Sequence, residues 1–245
     1  MPAPEHRGVA VIVLAAGNGR RMAAPVNKVF LLVGGKPILA RTLERFDRMA
    51  IVDRIVLVAA PVDKAHCEAI VRASGVRKVG EIVTGGATRH ESEFYGLLAI
   101  EDEIESGSIQ TVLIHDAVRP FVDSHEVESL VAEARACGGA IPALPAGDRI
   151  VAVDPDGTVR RESDDLWLVQ TPQAFDAKSV LAAHRRAAEE GFVATDTAAV
   201  VERAGQEVSV VLGRPENIKI TTSDDLLIAE LIAEHAEHVA GPAHP

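Results

Sequence analysis

Two glycines and a group of basic residues near the N-terminus have the types and the spacing that phosphate binding requires. Gly17 and Gly19 follow two small residues, Ala15 and Ala16, so backbone amides in this loop can approach a ligand closely. The basic residues that come next are Arg20, Arg21 and Lys28. This combination predicts a polyphosphate ligand, although a plain glycine turn with surface arginines is the simpler alternative.

The spacing differs from two common phosphate-binding motifs. Met22 stands at the third glycine position of the dinucleotide fingerprint, and no acidic residue ends a second strand about 20 residues further on. No Gly-Lys-Ser/Thr sequence follows the loop, so the Walker pattern is absent as well. The loop therefore predicts a nucleotide site of a different kind.

Composition narrows the possible partners and the location. The formal net charge of −11 argues against nucleic acid or an anionic membrane as the main partner, because both require a basic surface. The two cysteines, Cys67 and Cys137, have no metal-ligand spacing and are typical of small buried side chains in a reducing compartment. We expect a cytoplasmic protein without a membrane span or a signal peptide.

Apolar runs alternate with amphipathic segments along the 245 residues, which predicts one α/β domain. The run 9–14 is continuous and indicates a strand buried on both faces of a mostly parallel sheet. The predicted strands are 9–14, 54–60, 81–83, 111–114, 139–144, 207–212 and 217–220. The predicted helices are 37–49, 63–73, 88–105, 123–137, 177–190, one that begins at Thr195 or Asp196, and one from Thr221 or Thr222 to about Val239.

Chemistry-bearing residues follow two of the later strands. Gly85 and Gly86 precede Thr88 and Glu91, whose spacing has the form of a capping box, so helix amides are expected to face this loop. A plain turn explains the glycines equally well.

Asp116 and Arg119 come at the end of the fourth large strand, and ligands of open α/β sheets bind at that end. Asp116 could hold a metal ion beside a polyphosphate, because hard cations prefer carboxylate oxygens. The alternative is a local ion pair between Asp116 and Arg119 within a turn.

The regular alternation breaks between residues 146 and 164. Two short extended runs, 148–153 and 158–161, flank the turn sequence 154–157, which predicts a projecting β-hairpin arm. Such an arm cannot bury both of its faces alone, so we expect a homodimer held partly by it.

Several motifs together resemble a known family. The run from Ala15 to Met22, with Lys28 after it, is similar to the start of nucleotidyltransferases that activate sugar and polyol phosphates. The later motifs are Thr84-Gly85-Gly86 with Arg89 and Ser92, 115–120 (His-Asp-Ala-Val-Arg-Pro), 170–173 (Gln-Thr-Pro-Gln), Thr195-Asp196 and 217–220 (Asn-Ile-Lys-Ile). In this order they resemble the 2-C-methyl-D-erythritol 4-phosphate cytidylyltransferase family, to which ribitol 5-phosphate cytidylyltransferases are related.

The resemblance implies a Rossmann-like nucleotidyltransferase fold, CTP as co-substrate and Mg²⁺ as the divalent cation. The residues implied on the nucleotide side are Ala15, Ala16, Gly17, Gly19, Gly86, Arg89 and Ser92. The cations implied at the reacting phosphates are Arg21, Lys28 and Lys219. The residues implied on the side of the polyol phosphate acceptor are Asp116, Arg119, Thr171, Thr195 and Arg161.

The implied reaction is an in-line attack by a phosphate oxygen of the acceptor on the α-phosphorus of CTP, which expels pyrophosphate. An anionic nucleophile needs no general base, and catalysis consists of alignment and relief of charge repulsion. Arg21, Lys28 and Lys219 would supply that relief, with Mg²⁺ beside Asp116.

The chain departs from the family pattern mainly on the acceptor side. Arg149 and Val151 occupy positions where the family usually has other residues, and Ser163 replaces an arginine that would reach the acceptor of the neighbouring subunit. Arg161 or Arg149 could take over that contact. The acceptor identity is therefore open between 2-C-methyl-D-erythritol 4-phosphate and ribitol 5-phosphate or another polyol phosphate.

Functions of two other classes make different demands on the sequence. A nucleotide-sugar glycosyltransferase needs an Asp-x-Asp motif at a strand end, and the only literal match, Asp154 and Asp156, lies in the predicted hairpin turn. A non-catalytic nucleotide-binding protein would not need the basic residues that this chain retains.

Overall fold

The structure is a computed structural model that describes residues 8–17, 27–147, 152–156, 158–160 and 166–240. The described strands are β1 (Gly8–Ala15), β2 (Leu32–Val33), β3 (Lys36–Pro37), β4 (Arg54–Ala59), β5 (Val79–Thr84), β6 (Ile109–Asp116), β7 (Gly139–Pro145), β8 (Ala152–Val153), β9 (Val159–Arg160), β10 (Trp167–Val169), β11 (Gln173–Asp176) and β12 (Ser209–Leu212). The described helices are α1 (Ile38–Arg48), α2 (Lys64–Ser74), α3 (Arg89–Leu98), α4 (Glu101–Glu105), α5 (Ser124–Cys137), α6 (Ala177–Glu190), α7 (Thr197–Arg203) and α8 (Ser223–Ala240).

The main sheet is mixed but mostly parallel. Its strand order is β10-β7-β11-β6-β1-β4-β5, and β12 pairs with β7. The central strands β6, β1, β4 and β5 all run parallel, whereas β10 and β11 run antiparallel to their neighbours. This topology confirms the predicted α/β fold and places the carboxyl ends of β1, β5 and β6 at one edge.

Strand β1 is the centre of the core, as its continuous apolar run predicts. Val11 belongs to the buried cluster on one face, together with Phe46 of α1, and Ile12 belongs to the cluster on the other face, together with Leu97 of α3. At Gly96 a Cβ would lie 2.5 Å from Cγ2 of Ile12. The missing side chain therefore lets α3 lie directly against β1, and this contact sets the position of the loop before α3.

The predicted helix 88–105 is wrong in its length. The capping box of Thr88 and Glu91 is present at its start, but α3 ends at Leu98 and α4 begins only at Glu101. Ile100 lies between them with a non-helical backbone and a fully buried side chain. The helix is therefore divided at a residue whose side chain lies in the core.

The predicted strand 217–220 is also wrong. These residues pair with no described strand, and the segment is held by other bonds instead, such as the one from the Ile220 amide to the Val118 carbonyl (3.0 Å). The last helix begins at Ser223, and the hydroxyl of Thr222 accepts a hydrogen bond from the Asp225 amide (3.2 Å), as expected for a cap.

The described part of the predicted arm is a separate two-stranded sheet. Strands β8 and β9 pair antiparallel, and the Asp154 amide donates to the Thr158 carbonyl (2.9 Å) across the turn. Residues 148–151, 157 and 161–165 of the arm lie outside the described residues, and these include Arg149, Val151, Arg161 and Ser163.

Within the described ranges, no helix combines the length and the apolar character needed to cross a membrane.

Candidate functional site

A pocket of about 630 Å³ lies at the carboxyl ends of β1, β5 and β6. Its described lining residues are Leu14, Ala15, Ala16, Gly17, Asn27, Lys28, Val29, Gly86, Ala87, Thr88, Arg89, Ser92, Asp116, Val118, Lys219 and Thr221. The pocket thus joins the three loops that the sequence identified separately.

The loop after β1 forms one wall of the pocket. A Cβ on Gly17 would meet no atom of the described residues within 4 Å, so packing of the described chain does not explain the glycine. Ala16 contacts the second loop, because a Cβ on Gly85 would lie 2.5 Å from the Ala16 Cβ. Gly19, Arg20 and Arg21 lie outside the described residues.

The side chain of Asn27 anchors the start of the described range 27–147 at the pocket. Its side-chain amide donates to the Ala15 carbonyl (3.2 Å) and to Oδ2 of Asp63 (2.8 Å). Its side-chain oxygen caps a short 3₁₀ turn that begins at Lys28. Lys28 in turn donates from Nζ to the Thr221 carbonyl (3.0 Å), so the N-terminal loop contacts the segment before α8.

Asp116 lies at the end of β6, where three cations surround its carboxylate. Nζ of Lys219 is 2.7 Å from Oδ2, Nη2 of Arg89 is 3.3 Å from Oδ1, and Nε of Arg119 is 3.9 Å from Oδ2. Burial opposes ionisation of Asp116, but the three cations outweigh it and hold the pKa of this carboxyl well below its usual range. Asp116 is therefore anionic at neutral pH.

Arg119 is placed behind Asp116 rather than among the described lining residues. It is buried, and its Nη1 donates to the Asn217 carbonyl (2.7 Å). The turn contact between Asp116 and Arg119 is present through the Arg119 amide, which donates to the Asp116 carbonyl (3.0 Å). Arg119 therefore does not line the described pocket but contacts Asp116 and Asn217, which hold the pocket residues in place.

The loop before α3 differs from the expectation that helix amides face a ligand. The Gly86 amide donates to Oγ of Ser92 (3.1 Å), and the Ala87 and Thr88 amides donate to Oε2 of Glu91 (2.6 and 3.1 Å). These donors are already used within the loop, so the loop offers a ligand mainly its surface and its carbonyl groups.

The two threonines implied on the acceptor side have different surroundings. Thr171 is buried, and its hydroxyl accepts from the Asp116 amide (3.1 Å). Thr195 is exposed and is not among the described lining residues. Asp196, not Thr195, caps α7, because its carboxylate accepts from the Ala199 amide (3.1 Å).

Asn217 fixes the segment that carries Lys219. Its side-chain amide donates to the Thr171 carbonyl (2.9 Å) and to Oε2 of Glu126 (3.4 Å). Its own carbonyl accepts from Arg119 (2.7 Å) and from the side chain of Gln170 (3.2 Å). These contacts place the lysine two residues later, in a segment that pairs with no described strand.

Two buried carboxyl groups near the site, Glu93 and Glu126, were missed by the sequence reasoning. Glu93 follows Arg89 by four residues on α3, a spacing that can indicate an ion pair. Glu126 has the sequence position of a helix-capping residue, and nothing in the sequence indicates its burial. Burial raises the pKa of Glu126 to about 7, against the lowering effect of the hydrogen bond from Asn217.

Comparisons with known proteins agree on one family. The family model described as "IspD: 2-C-methyl-D-erythritol 4-phosphate cytidylyltransferase" matches residues 9–235. A 2-C-methyl-D-erythritol 4-phosphate cytidylyltransferase of Geobacter metallireducens is 45% identical over 225 residues, covering 91% of this chain and 96% of that protein. One from Geobacillus kaustophilus is 42% identical over 90% of this chain and 95% of that protein.

A solved structure shows the same similarity. The 4-diphosphocytidyl-2C-methyl-D-erythritol synthase of Anaerococcus prevotii superposes with a TM-score of 0.80 at 30% identity, covering 94% of this chain and 97% of that one. The similarity extends over nearly the whole fold, including the strands that form the pocket.

We expect Glu126→Gln to raise the free energy of unfolding at pH 8 by about 1–3 kcal/mol and to leave it nearly unchanged at pH 5. The pKa of Glu126 rises from 4.5 to about 7 on folding, so the folded state loses stability as pH increases through this interval. An amide resembles the protonated carboxyl at every pH and removes that loss. Urea unfolding at both pH values measures the effect.

The matched control is Glu128→Gln, on the same helix, where the carboxylate is 60% exposed and should show no pH-dependent gain. Equal stability of wild type and Glu126→Gln at pH 8 would contradict the prediction.

Proposed function

The chain belongs to the 2-C-methyl-D-erythritol 4-phosphate cytidylyltransferase family, and from this membership we propose that the pocket around Asp116 is where CMP passes from CTP to 2-C-methyl-D-erythritol 4-phosphate. The products are pyrophosphate and 4-diphosphocytidyl-2-C-methyl-D-erythritol. The observation that carries this proposal is that Lys28 and Lys219 line the same pocket, with Asp116 beside Lys219.

The chemistry is an in-line displacement at the α-phosphorus of CTP. A phosphate oxygen of the acceptor attacks, the new P–O bond forms, and the bond to the β-phosphate oxygen breaks as pyrophosphate leaves. The acceptor oxygen is already anionic, so the chain needs to supply alignment and positive charge rather than a base. Lys28 and Lys219 supply this charge, and Arg21, outside the described residues, is proposed to join them.

The two ends of the pocket suit the two substrates. We assign the cytidine to the side of Ala15, Ala16, Gly86 and Ser92, where small residues leave a smooth surface. Gly17 and Gly19 are assigned to the triphosphate, and the described packing does not require a glycine at position 17.

The acceptor is assigned to the side of the pocket at Asp116. The hydroxyl of Thr171 accepts a hydrogen bond from the Asp116 amide and so helps to hold Asp116 in position. Arg119, Thr195 and Arg161 complete that side in the proposal, although Arg119 and Thr195 stand outside the described lining. Arg89 lies between the two sides, because it lines the pocket and contacts Asp116.

Magnesium is a further part of the proposal. Asp116 is the sole carboxylate among the described lining residues, and both of its oxygens already contact cations. This donor set does not hold a metal ion by itself. We propose that Mg²⁺ would be held mainly by the phosphate oxygens of CTP, where it would neutralise part of their charge, with Asp116 as the carboxylate nearest to it.

We also propose a homodimer in the cytoplasm. Strand β10 is at the edge of the sheet, and its side chains Trp167, Leu168 and Val169 are 45%, 52% and 42% exposed. An exposed apolar edge strand next to a projecting hairpin is well suited to cover by a second copy of the chain. Both cysteines are free, and CTP is a cytoplasmic metabolite.

The acceptor is tested by a matrix of the four nucleoside triphosphates against several polyol phosphates, with pyrophosphate release as the measurement. We expect turnover with CTP and 2-C-methyl-D-erythritol 4-phosphate, and loss of turnover when EDTA exceeds the metal. Faster turnover with ribitol 5-phosphate would transfer the proposal to that acceptor. Absence of turnover with every pair would support a non-catalytic nucleotide-binding role.

Lys28→Ala and Lys219→Ala should each lower turnover by about a thousandfold, because each removes a cation from the reacting phosphates. Pyrophosphate release measures the rate, and circular dichroism checks that the fold is retained. Lys178→Ala, an exposed lysine on α6, is the matched control and should keep normal turnover. Near-normal rates in either pocket variant would refute their assignment.

Leu168→Asp should convert the dimer to a monomer, because it places a charge in the apolar edge that we propose to be covered. Sedimentation velocity distinguishes the mass of two chains from the mass of one. Leu227→Asp on α8, where the leucine is 67% exposed, is the control and should remain dimeric. A monomeric wild type, or a dimeric Leu168→Asp variant, would overturn this interface.

A further inference from the structure

Glu93 is a buried carboxyl group that the proposed reaction does not use. It lies on α3 with its side chain 1% exposed, and its carboxylate pairs with the Arg89 guanidinium through Oε1. Its other oxygen, Oε2, is 3.5 Å from Nε2 of His184 on α6. Burying a carboxylate and its partner costs several kcal/mol of desolvation, so packing alone does not account for a carboxyl group at this position.

A metal site does not account for the cluster. His90, Glu93 and His184 are all buried and have ligand atoms within 4.8 Å of one another. However, the rings of His90 and His184 stack with centroids 4.6 Å apart and planes only 17° apart. The planes of two stacked rings meet far from both rings, so their in-plane lone pairs do not converge on one ion. The carboxylate already has a cationic partner in Arg89.

The contacts of Glu93 lead instead to the pocket. Arg89, which Glu93 holds from behind, lines the pocket and contacts Oδ1 of Asp116 (3.3 Å). Asp116 contacts Lys219 through its other oxygen (2.7 Å). Glu93 is therefore one residue removed from the pocket wall, at the end of a continuous series of alternating charges.

We propose that Glu93 is a positioning residue for cytidylyl transfer, whose carboxylate holds the Arg89 guanidinium so that Asp116 is shared between Arg89 and Lys219. This inference rests on the proposed function. Without the charge of Glu93, Asp116 is the remaining described carboxylate in direct contact with Arg89, with Asp196 acting on it at longer range, and Arg89 and Asp116 draw together. The ion pair between Lys219 and Asp116 is then weakened, and Lys219 is no longer held beside the acceptor phosphate.

Ionisation of Glu93 offers a second way to remove this charge. The groups that face it are Arg89 and His90 on α3, Asp116 on β6, His184 on α6, and Asp196 and Thr197 at the start of α7. Burial raises the pKa of Glu93 to about 7, and Arg89 opposes this rise. Burial lowers the pKa of His184 to about 3, so this ring is neutral near pH 7. Glu93 is therefore mainly charged at pH 8 and mainly neutral at pH 6.

The test compares wild type, Glu93→Gln and Glu93→Asp by steady-state pyrophosphate release at pH 6 and pH 8. At pH 8 we expect Glu93→Gln to lower kcat/KM for the acceptor at least tenfold while KM for CTP changes less than twofold. Glu93→Asp, which keeps the charge, should recover part of this loss. At pH 6 wild type and Glu93→Gln should converge, because the wild-type carboxyl is then mainly protonated.

The matched control is Glu101→Gln, which removes one of the two acidic partners of Arg185 at the surface and should leave all constants unchanged. A loss below twofold at pH 8 would overturn the proposal. An equal loss for both substrates that does not depend on pH would also overturn it, because it indicates only a structural defect.

A second measurement does not depend on turnover. Reductive methylation at pH 8, followed by mass spectrometry, reports how firmly each lysine amine is paired. Methylation of Lys219 should be several-fold faster in Glu93→Gln than in wild type, with exposed Lys178 as the internal reference. An unchanged rate at Lys219 refutes the positioning role, whereas a wild type that releases no pyrophosphate refutes the proposed function.

Discussion

The shared carboxylate of Asp116 is the interaction on which the pocket depends. Lys219 and Arg89 contact its two oxygens at 2.7 and 3.3 Å, and each cation comes from a different part of the chain. Without Asp116 the cations would repel each other, and without the cations the buried carboxylate would carry a large desolvation cost. In a chain of net charge −11, this arrangement concentrates positive charge where phosphates are proposed to bind. Incoming phosphates can then bind cations that Asp116 already holds in position.

Much of this arrangement follows from strand periodicity alone. A buried parallel β1 requires its parallel neighbours to end at the same edge, so Gly17, Gly86 and Asp116, which each follow a predicted strand, all line one pocket. The convergence of Lys28 and Lys219 has no such signal. The segment 217–220 pairs with no described strand, and side-chain contacts around Asn217 hold it instead. Only the resemblance to a family predicted that these two lysines belong to one site.

Other features depend on tertiary packing that no local pattern shows. Glu93 has the spacing of an ordinary surface ion pair with Arg89, but the packing of α6 and α7 over α3 buries it. The amides at the start of α3 have the arrangement of an anion site, but they donate to the side chains of Ser92 and Glu91 instead. Ile100 interrupts the predicted helix because its side chain enters the core. For Glu93 and Ile100, packing against residues distant in sequence outweighs a correct local propensity, whereas the competing hydrogen bonds before α3 are local.

The hydrogen bond from Lys28 to the Thr221 carbonyl joins residues 193 positions apart. During synthesis on a ribosome, the glycine loop and most of the sheet emerge long before their partner does. A nascent chain can therefore build most of the nucleotide side of the cavity while its opposite wall is still being translated. Lys219, which is proposed to act at the reacting phosphates, is translated only after every strand of the main sheet, so a chain that ends before this residue lacks one of the two described pocket lysines.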